Sequence, residues 1–122
     1  MVICFHFIYM RNIPLEKELS IIPHLYSTEK IPLSEKWVYL HFFLHDCHWF
    51  IVEYDRIDRL FFCFTILNGD KLNAEWGYTS FDELISMKSD QFKIEIEKDV
   101  FFIPRQVKYI PEISKCDFNN FC

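Results

Sequence analysis

The fold is decided by the stretch Trp37-Val-Tyr-Leu-His-Phe-Phe-Leu-His45, which is followed almost at once by His48-Trp-Phe-Ile-Val-Glu-Tyr54. A third run of the same aromatic and β-branched character extends over Leu60–Leu67. Polar residues separate the runs at 45–47 and 55–58. Runs of this length and composition, bounded by polar breaks, are typical of β-strands. The sequence therefore predicts three successive strands joined by turns.

A strong turn signal follows the third strand. Asn68-Gly69-Asp70 favours a tight turn, because Asn and Gly tolerate positive φ angles. A fourth strand is predicted over Asn73–Tyr78. Together the four strands form an antiparallel meander over residues 36–79.

Two helices are predicted beside this sheet. The first covers Pro14–His24, where a proline suits the first helical turn and apolar residues recur at helical spacing. The second covers about residues 81–89, because Ser80-Phe-Asp-Glu83 matches a capping box. We therefore expect an α+β fold: an antiparallel β-meander sheet with one N-terminal helix and one short capped helix.

A further strand is predicted after the second helix. Phe92, Ile94 and Ile96 alternate with charged residues, which is typical of a strand with one solvated face. An apolar run then resumes at Val100–Ile103, ahead of Pro104.

The length of 122 residues fits a single domain. Residues 1–9 are apolar and belong either to an extra strand or to an extension ahead of an alternative start at Met10. Residues 116–122 lack apolar periodicity, which predicts a flexible tail.

Composition and charge indicate the compartment and exclude some partners. No apolar run reaches the ~20 residues that a membrane-spanning helix requires. Five cysteines without a CxxC pair are typical of reduced thiols in a cytoplasmic protein. A net charge of −5 disfavours general nucleic-acid binding and anionic membranes. We expect a cytoplasmic protein with no membrane contact.

The chain has no recognisable catalytic motif. With only two glycines, neither a phosphate-binding P-loop nor a dinucleotide-binding GxGxxG motif exists. Glu53, Asp55 and Asp58 flank a turn, where carboxylates are usually solvated and paired with nearby cations. We interpret them as turn residues rather than as an acid–base pair.

The most metal-like cluster is His45-Asp46-Cys47-His48, with His41 four residues upstream. Imidazole and thiolate groups bind zinc, but structural sites need paired ligands that this sequence does not provide. Along a strand, His41 and His45 would lie ~13 Å apart, too far to chelate one ion. We predict a polar hairpin tip with one packed histidine, and adventitious metal binding by His45, Cys47 and His48 stays open. No cofactor, metal site or catalytic residue is predicted.

Acidic residues concentrate between Glu75 and Asp99, a stretch that contains seven acidic and three basic residues. On an edge strand and a capped helix, such charges suit a basic channel in another protein, and exposed aromatic residues supply anchors. An ordinary solvated surface is the alternative interpretation. The predicted partner-binding residues are Trp76, Tyr78, Asp82, Glu83, Glu95 and Glu97.

An ordered series of short motifs carries a family resemblance. The motifs are Ile22–Tyr26, Leu40–Asp55, Leu60–Phe64, Leu67–Asp70, Ala74–Tyr78, Ser80–Leu84 and Asp99–Pro104. Over residues 18–113 the chain resembles the domain-of-unknown-function family numbered 2958. That family commonly has Gly-Gly before the cysteine of the first hairpin, where this chain has His45-Asp46. The departure disfavours transferring any site to this hairpin.

The resemblance implies a biological context rather than a chemistry. Similar small proteins are carried on bacterial plasmids, phages and integrated mobile elements, and no catalytic residues come with the family. Compact acidic proteins of such elements often bind host proteins, and inhibitors of CRISPR nucleases are among them.

The leading hypothesis is a non-enzymatic mobile-element or phage protein that binds and inhibits a host nucleic-acid-targeting defence protein, in the manner of an anti-CRISPR. The partner would be a CRISPR nuclease or its guide-RNA complex. One alternative is an enzyme or ligand-binding accessory protein of plasmid maintenance, using His41, His48 and Glu53 in a sheet-lined pocket. Another is an RNA-binding module that stacks bases on exposed aromatic residues.

Overall fold

The computed structural model describes residues 13–89 and 94–117. Its helices are α1 (Glu16–Ser20), α2 (Phe81–Ile85) and α3 (Pro111–Asp117), with short 3₁₀ helices at Leu33–Glu35 and Val107–Tyr109. Its strands are β1 (Trp37–Val38), β2 (Leu40–Leu44), β3 (Cys47–Asp55), β4 (Leu60–Leu67), β5 (Asp70–Ser80), β6 (Lys88–Ser89), β7 (Ile94–Glu95), β8 (Glu97–Lys98) and β9 (Arg105–Gln106).

The centre of the molecule is a five-stranded antiparallel sheet with the strand order β5-β4-β3-β2-β8. Strands β2 to β5 are consecutive in sequence and neighbours in space, so the predicted meander and α+β class are confirmed. Asn68 and Gly69 adopt positive φ angles of 53° and 69° in the turn between β4 and β5, as the turn signal indicates. Two small ribbons, β1–β9 and β6–β7, complete the strands.

Each face of the sheet is covered by its own hydrophobic core. The first face carries Phe42 and Trp49 and is covered by residues of α1, α2 and the segment around Ile96. The second face carries Phe50 and Phe64 and is covered by residues of β1, the second 3₁₀ helix and α3. Because both faces are buried, β3 is apolar almost throughout instead of alternating.

Both predicted helices form, and both are shorter than predicted. α1 covers only Glu16–Ser20 of the predicted Pro14–His24, since Pro23 cannot continue a helix. α2 begins where the capping box predicts, with the Ser80 hydroxyl accepting a hydrogen bond from the Glu83 N–H at 3.2 Å. It ends at Ile85 because Lys88 and Ser89 enter a strand pair with β7.

The predicted strand after α2 is divided into two. β7 pairs with β6, whereas β8 pairs with β2, so the chain changes partner between them. Ile96 is buried but Ile94 is 41% exposed, and the prediction that both share a buried face is wrong. Phe92 lies outside the described residues. In the apolar run from Val100, Phe102 packs against the core of the second face, whereas Phe101 is 89% exposed.

The C-terminal helix α3 was not predicted from the sequence. Pro111 occupies its first position, and Ile110 and Ile113 are buried against the second face. Cys116 and Asp117, the first two residues of the predicted tail, belong to this helix. The rest of that tail and the predicted extra strand over 1–9 lie outside the described residues. Among the described residues, no helix is long and apolar enough to cross a membrane.

Candidate protein-binding surface

A β-bulge determines where Glu53 lies. The pairing of β3 with β4 shifts between Ile51 and Glu53, which places Glu53 opposite Phe62 on the second face. Its side chain is only 4% exposed. The prediction of a solvated turn carboxylate is therefore wrong for Glu53. For Asp55 the turn role holds, since its carboxylate accepts hydrogen bonds from the N–H groups of Ile57 and Asp58.

The buried Glu53 carboxylate is fully engaged with the segment that follows α1. It accepts hydrogen bonds from the N–H of Tyr26 at 2.8 Å, from the N–H of Thr28 at 3.1 Å and from the Thr28 hydroxyl. The buried Lys36 ammonium donates to the Thr28 hydroxyl oxygen at 2.7 Å and to the Thr28 carbonyl. A buried charge is tolerated only when hydrogen bonds replace water in this way. Segment 26–28 is thus fixed to the sheet by Glu53.

This anchoring positions the ring of Tyr26. The residue has a φ of 68°, a left-handed conformation that is uncommon for a residue with a side chain. Its ring lies 6.2 Å from that of Tyr78 on β5, measured between ring centroids. Hydrogen bonding with Tyr26 raises the pKa of Tyr78, with smaller contributions from burial and charge.

From Tyr26, ring contacts continue across β5 and β4. Centroid distances are 5.3 Å from Tyr78 to Phe62, 5.5 Å from Phe62 to Trp76 and 5.3 Å from Trp76 to Phe64. We call these five rings the aromatic row. Tyr26 is 59% and Tyr78 51% exposed, whereas Phe64 is buried in the second core. The row begins in solvent and ends in the core, so its exposed end is rigidly supported.

β5 is an edge strand of the sheet among the described residues. Within the described residues β5 pairs only with β4, and its register with β4 is regular from Glu75 to Ser80. A Cβ atom added at Gly77 would meet nothing within 4 Å. The indole N–H of Trp76 is buried and has no hydrogen-bond partner among the described residues. Such an unmet buried donor costs about 1–3 kcal/mol. At the outer edge of β5, the backbone groups have no strand partner within the described residues.

The six predicted partner-binding residues do not form one surface. Trp76 and Tyr78 are both in the aromatic row, and Asp82 and Glu83 lie in the first turn of α2, directly after β5. Glu97 lies on β8, at the opposite edge of the sheet, and Glu95 belongs to the separate β6–β7 ribbon.

Asp82 is also already paired with a cation. The Arg59 guanidinium donates to its carboxylate at 2.8 and 3.0 Å, and these hydrogen bonds lower the pKa of Asp82. The sequence did not indicate Tyr26 as a member of the surface, because Glu53 determines its place from 27 residues away.

A second polar group lies on the same face, toward β2. Nδ1 of His41 lies 2.9 Å from a carboxylate oxygen of Asp99, and Nε2 of His41 lies 2.9 Å from Nδ1 of His48. We call these three residues the histidine chain. The ring of His41 stacks on Phe50 at 4.5 Å between centroids.

The structure thus brings His41 and His48 together, while Glu53 stays in its own network. Asp99 was not expected here, because 58 residues separate it from His41. Among the described residues, no group of three or more histidine, cysteine or acidic side chains is arranged to hold a metal ion.

No family model, curated protein or solved structure matches this chain. The resemblance to the family numbered 2958 therefore remains a hypothesis.

Proposed function

We propose that this chain is a non-enzymatic binding protein that recognises a partner protein with the exposed end of its aromatic row and the outer edge of β5. The observation that carries the proposal is the rigid placement of two half-exposed tyrosines. Tyr26 is held by the buried Glu53, and Tyr78 is backed by Phe62. Tyrosine and tryptophan are enriched among the residues that dominate binding energies.

Rigid placement strengthens binding because less conformational entropy is lost when the partner docks. Immobilising a side chain that rotates freely in the unbound protein costs about 0.5–1.5 kcal/mol of binding free energy. The rings of Tyr26 and Tyr78 are already in contact in the free protein. Their order in the free protein therefore favours tight association.

The edge of β5 supplies main-chain recognition beside the tyrosines. An extended partner segment can add to an exposed sheet edge, where backbone hydrogen bonds give affinity and neighbouring side chains give specificity. Within the described residues, β5 pairs only with β4 and their register is regular from Glu75 to Ser80, so a partner segment would meet a regular edge there.

The partner we propose is a host nucleic-acid-targeting defence protein, so that the chain acts as an anti-CRISPR-like inhibitor from a mobile element or phage. The net charge of −5 supports this class, since such proteins have basic grooves that attract acidic binders. On the β5 side, Glu75 and Glu83 contribute acidic charge, because the Asp82 carboxylate is paired with Arg59. The family resemblance supports the same class through its biological context.

The proposal is tested by measuring whether the protein inhibits target cleavage and by comparing the partner affinity of two matched tyrosine variants. We expect the protein to block target cleavage by a host CRISPR nuclease charged with guide RNA, and Tyr78→Ser to weaken the complex about tenfold or more. Tyr109→Ser is the control, because Tyr109 is another exposed tyrosine that lies on the 3₁₀ helix away from β5. Equal affinities for Tyr78→Ser and wild type would refute the surface. Absence of both binding and inhibition would refute the partner class.

A further inference from the structure

The exposed end of the aromatic row presents two tyrosine rings that do not cover each other. The planes of the Tyr26 and Tyr78 rings are tilted by 56°, and their centroids lie 6.2 Å apart. Phe62, which backs Tyr78 within the row, is likewise tilted against it, by 48°. The face of an aromatic ring carries a negative partial charge and attracts cations. Because both tyrosines are more than half exposed and neither is stacked face to face, their ring faces are accessible to a cation of a partner.

The arginines of this chain show how such ring faces are used within the fold. The three arginines in the described part of the chain each lie over an aromatic ring, with 4.4–5.6 Å between guanidinium carbon and ring centroid. These pairs are Arg56 over Tyr54, Arg59 over Phe81 and Arg105 over Phe102.

The closest of these pairs combines a ring face with an acidic group. Arg59 lies over Phe81 and also donates to the Asp82 carboxylate, so that one guanidinium is held by both. Among the described residues, by contrast, no cation lies over Tyr26 or Tyr78. The two exposed tyrosines therefore lack the cation that other rings of this chain have.

An acidic side chain lies next to the tyrosine pair. Residues 26–29 form a turn in which the Glu29 N–H donates to the Tyr26 carbonyl at 3.4 Å, and Glu29 is exposed. The Cα atoms that open and close such a turn lie within about 7 Å of each other, so the Glu29 carboxylate is within reach of a cation bound at the rings. Hydrogen bonding with Tyr26 is the largest cause that raises the pKa of Tyr78, and the charges of Glu53 and Glu29 act in the same direction. The surroundings of the pair are thus complementary to a cation.

We infer that Tyr26 and Tyr78 bind an arginine side chain of the partner protein, with its guanidinium over the tyrosine rings and paired with the Glu29 carboxylate. Arginine is favoured over lysine because a planar guanidinium stacks on a ring and still directs donors to a carboxylate, whereas an ammonium is a compact and strongly hydrated charge. The inference rests on the proposed function and names the chemistry that its surface recognises. Arginine is also a residue with which nucleic-acid-binding grooves hold phosphates. Its capture by this surface would remove a contact that the partner makes with RNA or DNA.

Blocked tetra-arginine and tetra-lysine peptides test the arginine site without the host protein. Both peptides carry the same charge, so nonspecific attraction to a chain of net charge −5 is the same for the two. In NMR titrations we expect tetra-arginine to bind about threefold tighter, as a cation stacked at an exposed site would. The largest chemical-shift changes should come from the ring protons of Tyr26 and Tyr78. Equal affinities, or larger changes at other rings, would overturn the inference without depending on how any variant folds.

Matched variants locate the preference for arginine. Tyr78→Ser should abolish the difference between the two peptides, whereas Tyr109→Ser should keep it, because Nζ of Lys108 already lies 5.5 Å from the Tyr109 ring centroid. Glu29→Gln should weaken tetra-arginine binding about twofold more than Glu112→Gln, which removes the same charge from an exposed position on α3. A preference for arginine that survives Tyr78→Ser would overturn the assignment to these rings.

Peptide binding and nuclease binding can fail separately. A nuclease complex that depends on Tyr78, together with equal peptide affinities, would overturn the arginine site and leave the proposed function in place. An arginine preference that depends on Tyr78, without any binding to the nuclease, would support the arginine site and refute the proposed partner class.

Discussion

At the scale of single residues, His41 and His48 make the stability of the fold depend on pH. Burial is the largest cause that lowers the pKa of each below its ordinary value of 6.5, and Asp99 only partly offsets it for His41. The folded chain therefore binds fewer protons than the unfolded chain as pH falls through this range. The stabilising contribution is complete above about pH 7 and is lost as pH drops from 6.5 toward the lower folded pKa values.

Urea unfolding at pH 7.5 and at pH 5.5 measures this dependence. We expect the free energy of unfolding to be lower at pH 5.5 for the wild type, and the difference to shrink in a His41→Gln/His48→Gln variant. His24→Gln should keep the wild-type difference, since His24 is exposed. A double variant with an unchanged pH dependence would show that other groups cause it.

At the scale of structural elements, Glu53 joins the segment after α1 to the bulge in β3. Replacing Glu53 with Gln turns one acceptor oxygen into an NH₂ group that faces backbone or hydroxyl donors. A buried hydrogen bond to a charged group contributes about 1.5–3 kcal/mol. We expect Glu53→Gln to reduce the free energy of unfolding by about 2 kcal/mol.

The same variant should also disturb the contact between Tyr26 and Tyr78, which NMR chemical shifts of the two rings report. Glu75→Gln is the matched control, because Glu75 is exposed on β5 and a surface substitution changes stability by less than about 0.5 kcal/mol. Similar losses for the two variants would show that Glu53 does not anchor the segment.

The elements that local pattern determines are the ones the sequence predicts. The composition of their residues predicts strands β3 and β4. The tolerance of glycine for positive φ predicts the turn at Gly69. The cap at Ser80 is predictable because its hydroxyl bonds a residue only three positions away. Contacts distant in sequence are not predictable in this way. The bulge at Glu53, the change of strand partner after Ile94 and the pairing of Asp99 with His41 depend on the packed sheet.

The partner-binding residues show the same division. Trp76 and Tyr78 are two residues apart on one strand, and side chains at this spacing lie on the same face, so their shared face is predictable from the sequence. Charge clustering along the sequence could not predict that Glu97 lies at the opposite edge of the sheet, or that Arg59 pairs with Asp82. Tyr26 joins the surface through a backbone hydrogen bond, which leaves no signal in the residue pattern.

At the scale of the whole molecule, the two faces of the sheet are covered to different extents. The first face is closed by α1, α2 and Ile96, with Phe81 and Leu84 buried against it. On the second face, α3 and the β1–β9 ribbon cover Phe50 and Phe64, but the row beyond them remains half exposed at Tyr78 and Tyr26. Exposed aromatic rings that continue a packed core are typical of recognition surfaces.

Site-specific photo-crosslinking in host cells tests the proposed recognition surface most directly. A photoreactive phenylalanine replaces Tyr78 in one variant and Tyr109 in the control, since both side chains are more than half exposed on different elements. We predict that position 78 crosslinks one nucleic-acid-targeting host protein, that position 109 does not, and that adding Trp76→Ser reduces the crosslink. Equal crosslinking from both positions, or none from position 78 while the protein remains inhibitory, would contradict a binding surface on β5.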